Sequence, residues 1–300
     1  MHSFLHYLSV TLKGVFMGAA NVIPGVSGGT IALLTGIYQE IIDSIKSINL
    51  TSLKLLFEGR FTEFWKSING TFLLALAIGI VISILLLANL MQYLLDYHPI
   101  PTWSFFFGLI LISAYYILRD LKGWKWYDIL GLLLGIASGV TICLVTPAET
   151  TNALWFIFVC GAITMCTMIL PGISGSFVLL LLGKYEFIMD ALSDWDFGIL
   201  AVFAAGAIAG ILAFSHLLSW LLKRFYNVTL TFLSGLMLGA LIKVWPWKVI
   251  TSYGTDIPVL PGEYASEPLV GQAVVAALCG ILLVVVINTL AGRKQNSALV

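Results

Sequence analysis

Asn21-Val22-Ile23-Pro24-Gly25-Val26-Ser27-Gly28-Gly29-Thr30 has a second copy in the chain, Ile169-Leu170-Pro171-Gly172-Ile173-Ser174-Gly175-Ser176. A shift of 147 aligns the two without a gap, and 11 of 30 positions are identical between Gly14–Asp43 and Gly161–Asp190. Prolines, glycines, a serine, a tyrosine and an aspartate all coincide, which apolar composition alone does not produce. The match continues at an offset of 127, pairing Gly79 with Gly206, Leu94-Leu95 with Leu221-Leu222, Thr102 with Thr229 and Gly108-Leu109 with Gly235-Leu236. A duplication of this kind fixes the architecture before any single element is read. The change of offset marks a 20-residue insertion in the first half, where residues 46–69 mix Lys46, Lys54, Arg60 and Lys66 with Leu53, Phe57, Phe61 and Trp65. That segment reads as interfacial and amphipathic.

Composition places the chain in lipid. It is 60% hydrophobic and 10% charged, with mean hydropathy +1.01, where a soluble domain carries about 25% charge. Apolar runs at 71–95, 102–119, 127–146, 197–222, 229–247 and 269–291 approach the roughly 20 residues that cross a hydrocarbon core. The expected fold class is therefore an all-α polytopic membrane protein. Fifteen basic and fifteen acidic residues cancel, so no global field steers nucleic acid to it. The four cysteines (Cys143, Cys160, Cys166, Cys279) lie in apolar segments without metal-ligand spacing and read as small hydrophobes. Lys13 inside the first apolar stretch, and the recurrence of that stretch mid-chain, speak against a cleaved leader.

The two runs around each Pro-Gly-x-Ser-Gly are short, 11–23 and then Thr30 to about Ile45 in the first copy, so the pair is either one kinked span or a re-entrant hairpin. Charge decides between them, because cytoplasmic loops concentrate Lys and Arg. Basic segments occur at 46–66, at Arg119, Lys122 and Lys125, at Lys223-Arg224 and at Arg293-Lys294, while 96–101, 147–152, 184–196 and 248–268 are acidic or poor in Lys and Arg. Hairpins re-entrant at 11–45 and 153–190 put every basic loop on one face, whereas spanning ones scatter them. The expectation is thus two inverted repeats, 1–146 and 147–300, each a re-entrant helical hairpin plus three transmembrane helices. Both termini are expected in the cytoplasm, and the hairpin tips meet near the midplane, as in secondary transporters.

Proline ends a helix and glycine lets the backbone turn, so the helix that follows starts with unpaired N–H groups at a positive dipole end. Ser27, Gly28, Gly29 and Thr30 from one side, and Ser174, Gly175 and Ser176 from the other, make an expected anion site shaped by Pro24, Gly25, Pro171 and Gly172. Asn21, opposite Met168, has no mate and is a candidate ligand contact. Gly14, Gly18, Gly79, Gly108, Gly206, Gly210 and Gly235 read as packing residues. Lys13 reads as snorkelling to the cytoplasmic surface or attracting an anionic headgroup. Glu40 is a candidate proton carrier. Asp43 and Asp190 fit exposed hairpin ends. His216 is a candidate for proton handling or for a bond between helices. Arg119 and Arg224 serve as positive-inside anchors or recruit phosphate. No cofactor is expected; a coupling proton or sodium ion is open.

On Lys13-Gly14, Asn21–Thr30, Gly36-Ile-Tyr38, Leu170–Ser176, Gly183-Lys-Tyr185 and the Gly-Leu pairs at 108 and 235, the sequence resembles the DUF368 family of bacterial membrane proteins, described as polyprenyl-phosphate transporters. The resemblance covers nearly the whole chain. It implies a bacterial cytoplasmic-membrane flippase that returns undecaprenyl phosphate, the lipid carrier of cell-wall synthesis, from the outer to the inner leaflet. On physics alone the residues reach only a transporter with an anion site, and a small soluble anion remains the competing substrate. An enzyme would need a nucleophile with acid–base partners or a metal cluster, and His2, His6, His98 and His216 are scattered.

Overall fold

A computed structural model describes residues 2–22, 27–145, 150–250 and 256–297, without the side chains of 2–4, 22, 88, 89, 250, 256, 287 and 290–297. The first half contains α1 (His2–Val22), α2 (Gly28–Leu34), α3 (Tyr38–Lys46), α4 (Leu50–Phe57), α5 (Phe61–Ser67), α6 (Gly70–Tyr97), α7 (Pro99–Asp120) and α8 (Trp126–Leu144). The second contains α9 (Leu154–Ile169), α10 (Gly175–Leu181), α11 (Tyr185–Ser193), α12 (Phe197–Arg224), α13 (Tyr226–Gly239), α14 (Leu241–Val244) and α15 (Val270–Ser297). Among the described residues five helices are long and apolar enough to cross a membrane, α6, α7, α8, α12 and the α13–α14 stretch. The described apolar part of α15 runs only over Val270–Val286. The acidic 248–268 loop holds a small antiparallel ribbon of β1 (Lys248–Ile250) and β2 (Asp256–Pro258). Trp245 and Trp247 pin that segment down by donating their indole N–H groups to the Val259 and Pro268 carbonyls.

Each half begins with the same local construction. Residues 2–22 form the single helix α1, since no proline divides them. The run from Thr30 to Ile45 is instead split into α2 and α3. Gly36, at φ +72°, ends α2 in a left-handed turn in which the Ile37 amide returns to the Ala32 carbonyl. Gly183, at φ +63°, repeats the turn, with the Lys184 amide on the Leu179 carbonyl. Ser27 caps α2 through its side chain, and Asp196 caps α12 by accepting from Gly198 and Ile199.

The long helices pack through glycines, and the contacts recur at the sequence offsets. A Cβ on Gly14 would run into the Leu76 carbonyl, and one on Gly161 into that of Phe203. Gly79 lies against Thr11 as Gly206 lies against Phe158. One turn further on, Gly18 lies against Ile80 and Ser83, and Gly210 against Ala162, so contact advances along both helices together and α1 runs parallel to α6 and α9 parallel to α12. In the other two pairs the halves exchange partners, α7 packing on α15 and α8 on α13. Gly108 faces Ala277 where Gly235 faces Leu132, and Gly280 faces Phe105 where Gly135 faces Phe232. The inserted α4 and α5 have no counterpart. They leave Leu50 86% and Phe57 87% exposed, as a segment lying in a lipid interface would.

The chain returns to its starting end between α1 and α6. Asn69, which precedes α6 in a left-handed conformation that Asn tolerates, donates to Glu40 Oε1 (3.1 Å) and Ser44 Oγ (3.3 Å) on α3. In the second half, Lys184 after α10 donates to the Thr150 carbonyl (2.8 Å) and Asn152 Oδ1 (2.7 Å), just ahead of α9. The main core runs between these parts, with Ile42, Phe72, Ile110, Leu233, Leu236 and Met237 fully buried.

Candidate functional site

The two copies of the motif touch. Ser27, buried at the start of α2, donates its hydroxyl to the Leu170 carbonyl at 2.9 Å. The Gly172 amide donates to Thr30 Oγ1 at 3.1 Å, with Thr30 at 0% exposure. The hydroxyl of buried Tyr38 reaches the Ile169 carbonyl at 3.2 Å. Gly29 sits so close to Ile169 that a Cβ would overlap its carbonyl. Gly172, at φ +84°, adopts a turn that L side chains resist, and a Cβ there would lie 2.8 Å from Met237 Cα. Each bond is worth about 1 kcal/mol net, but a buried donor or acceptor deprived of its partner costs about 1–3 kcal/mol.

The donors expected to await an anion are turned on the protein itself in the first copy. The Gly28 amide donates to Asn21 Oδ1 at 2.7 Å, that of Gly29 to Ser27 Oγ at 3.1 Å, and that of Thr30 to the Ser27 carbonyl at 3.0 Å. Asn21 thus supplies an oxygen where a bound anion would supply one. The second copy is less engaged. Ser174 makes no cap bond, and its hydroxyl instead pairs with that of Ser176 at 2.8 Å. Pro171, Gly172, Ser174 and Gly175 are buried, while Ser176 is exposed. Pro24 and Gly25 lie outside the described residues.

The remaining candidates are spread out. Lys13 donates to the Thr35 carbonyl at 2.9 Å, at the end of α2. It also lines an apolar cavity of about 210 Å³ with Leu12, Phe16, Ile31, Leu109, Leu283 and Val284. Glu40 meets Asn69 rather than the motif. Arg119 pairs with Asp120 at 3.5 Å and lies over the Tyr116 ring. Arg224 shares a cavity with Lys125, Tyr127, Asp128 and Asn227. His216 is exposed, and its Nδ1 lies 2.8 Å from the Leu212 carbonyl of its own helix, so it makes no bond between helices there.

The Asp43 and Asp190 pair, expected at exposed ends, diverges. Asp190 is exposed, but Asp43 Oδ1 accepts from Ser219 (2.8 Å) and faces Lys223 Nζ (3.2 Å), joining α3 to α12. Burial raises the Asp43 pKa, but hydrogen bonds from Gln39, Ser219 and Lys223 and the Lys223 charge outweigh it, leaving it below the ordinary value.

Two site-side residues were absent from the sequence candidates. Tyr38 carried a signal, since Gly36-x-Tyr38 recurs as Gly183-x-Tyr185. Lys243 carried a weaker one, as a lone cation in an apolar run, and its Nζ lies 4.7 Å from the ring centroid of Phe177, beside Ser176. Among the described residues there is no group of three or more His, Cys, Asp or Glu able to hold a metal.

Fold and composition together define a polytopic α-helical membrane protein. Sequence comparison narrows that class. The family described as VCA0040-like, undecaprenyl phosphate translocase-like, matches residues 17–258, and the chain belongs to it. It is 44% identical over 299 residues to a polyprenyl-phosphate transporter of Vibrio cholerae, covering 97% of both chains. It is 35% identical over 254 residues to a polyprenyl-phosphate transporter of Staphylococcus aureus, covering 78% of this chain and 85% of that protein. No solved structure gives a significant match.

Proposed function

We propose that this protein moves polyprenyl phosphate, with undecaprenyl phosphate as the carrier lipid, between the leaflets of the bacterial cytoplasmic membrane, returning the lipid for reuse in cell-envelope synthesis. The substrate class comes from the two transporter relatives. The observation that carries the mechanism is the meeting of the two motif copies at Ser27–Leu170, Thr30–Gly172 and Tyr38–Ile169. In this reading, residues 1–146 and 147–300 are inverted repeats, and each motif is the tip of a re-entrant hairpin. The parallel course of α1 with α6 and of α9 with α12 supports it, because a chain that crossed the membrane in between would run antiparallel. The phosphate is held at the tips by Asn21, Ser27, Gly28, Gly29 and Thr30 from one side and by Ser174, Gly175 and Ser176 from the other.

Binding requires the tips to part. Asn21 and Ser27 then release the amides of Gly28 and Gly29 to the phosphate oxygens, exchanging one set of acceptors for another without a buried fixed cation, which is costly at depth. The apolar cavity beside Lys13 gives the prenyl tail a path that stays in hydrocarbon. The test is transfer of a polyprenyl phosphate between leaflets of proteoliposomes, with uptake of inorganic phosphate measured beside it. Lipid transfer lost on Gly172→Leu supports the reading. Uptake of the soluble anion without lipid transfer overturns the substrate while leaving an anion site.

A further inference from the structure

The two ends of the molecule are in different states. At one end α3 packs along α12, while at the other α11 has no comparable interface with α6, although the duplication makes these the same pair of elements. Asp43, Ser219, Lys223, Lys46 and Gln39 form the closed end. Lys46 Nζ lies 3.3 Å from Ser219 Oγ, and Gln39 Nε2 lies 3.1 Å from Asp43 Oδ2. At offsets of 147 and 127 their counterparts are Asp190, Gln92, Asp96, Ser193 and Glu186. A carboxylate paired with the Lys223 ammonium, with Lys46 held on the Ser219 hydroxyl beside it, thus corresponds to three carboxylates with no cation among them. Asp96, Glu186 and Asp190 are all exposed here.

We propose that the second end closes by the equivalent movement, α11 onto α6, and that this closure takes up a proton shared between Asp96 and Asp190. The proposal rests on the inverted-repeat transporter reading above, which makes the parted end the outer one. The Lys223–Asp43 latch becomes Asp96 against Asp190, and like charges at contact cannot both remain ionised. The neighbours deepen the need. Glu186 stands one turn before Asp190 on α11, and Asp194 and Asp196 follow toward α12. On the other side Tyr93 and Tyr97 accompany Asp96 on α6, and His98 lies between α6 and α7. Lys184 is the cation nearest in sequence to Asp190 on this segment, and it is already engaged by Thr150 and Asn152. The proton enters from the outer solution on closing and leaves to it on reopening. No bond other than the O–H is made or broken.

The test reads the distance between spin labels at Tyr97→Cys on α6 and Leu192→Cys on α11, in full-length protein free of native cysteines and held in lipid nanodiscs. Between about pH 9 and about pH 5 a short-distance population should grow. If closure takes up one proton, its ratio to the long-distance population changes about ten-fold per pH unit through the transition. Asp96→Asn with Asp190→Asn should hold the short distance throughout. Asp96→Lys, which restores the pairing of the closed end, should do the same. A distance that ignores pH in wild type, or that follows sodium at fixed pH, overturns the proposal. So does a double Asn variant that keeps the wild-type pH response. Lipid transfer with a pH-insensitive distance sinks the gate and keeps the transport reading. Closure in acid by a protein that moves no polyprenyl phosphate supports the gate and sinks the substrate.

Discussion

Thr30 and Gly29 hold the two motif copies together in different ways, and substitution separates them. Thr30→Val keeps the shape and removes the hydroxyl that accepts from the Gly172 amide. The buried N–H is then orphaned, at a cost of about 1–3 kcal/mol. The expected outcome is a lower melting temperature in detergent with reduced lipid transfer. Gly29→Ala is expected to be worse, because its Cβ meets the Ile169 carbonyl, which is backbone and cannot step aside. Gly28→Ala meets only the Asn21 side chain, 2.9 Å away, which can rotate. It should therefore fold and keep measurable transfer where Gly29→Ala does not; equal loss in both would refute this account of the contact. At this scale the sequence located the motif through its repetition. What residue identity did not reveal is where each N–H goes. Asn21 and Ser27 satisfy Gly28 and Gly29 locally, an arrangement that depends on side-chain torsions and leaves no trace in spacing. Tyr38 was visible as a repeated Gly-x-Tyr, yet only folding places its hydroxyl on a carbonyl 131 residues away.

Helices here are matched to one another by small residues, since lipid offers apolar side chains as good a partner as protein does. The seven glycines read as packing residues all lie where a Cβ would collide with a facing helix. Gly206→Leu should therefore separate α12 from α9 and abolish the folded monodisperse peak in size-exclusion chromatography. Gly271→Leu, whose Cβ direction is open space, should leave that peak in place. The latch between α3 and α12 has its own signature. The Asp43 pKa is depressed in the folded state, so its stabilisation is present above the unfolded value of about 3.9 and is lost only as pH falls through the folded one. Spin labels across α3 and α12 should hold their distance from about pH 9 to about pH 5, and a change within that window would contradict the assignment. Element existence was legible from hydropathy, and the insertion at α4–α5 from the change of offset. The exchange of partners, α7 with α15 and α8 with α13, was not, because glycine positions say that a helix is approached closely and not by which neighbour. The split of α2 from α3 at Gly36 was missed because apolar periodicity continues across the turn.

At the scale of the whole molecule, the charge pattern and the helix directions bear on one question, the side to which each hairpin returns. Lys and Arg at 46–66, 119–125 and 223–224 fall on one face only if both hairpins return. The parallel runs of α1 with α6 and α9 with α12 come from packing and owe nothing to charge. Two independent physical constraints, electrostatic bias at loops and steric fit between helices, therefore both support the proposed re-entrant topology. It makes a prediction that neither the motif nor the substrate enters. Thr151 precedes α9 and Asp194 follows α11, and both are exposed. Thr151→Cys and Asp194→Cys, in full-length protein without native cysteines, should both react with a membrane-impermeant maleimide added outside intact cells. Gly59→Cys and Gly123→Cys should react only once the membrane is opened. If 151 and 194 label from opposite sides, the second motif lies in a spanning segment. The halves then cease to be inverted, and the equivalence of the α3–α12 and α11–α6 ends goes with them. Labelling of both from outside leaves a molecule whose two ends share one design but differ in charge, which is the asymmetry a carrier needs to tell its two solutions apart.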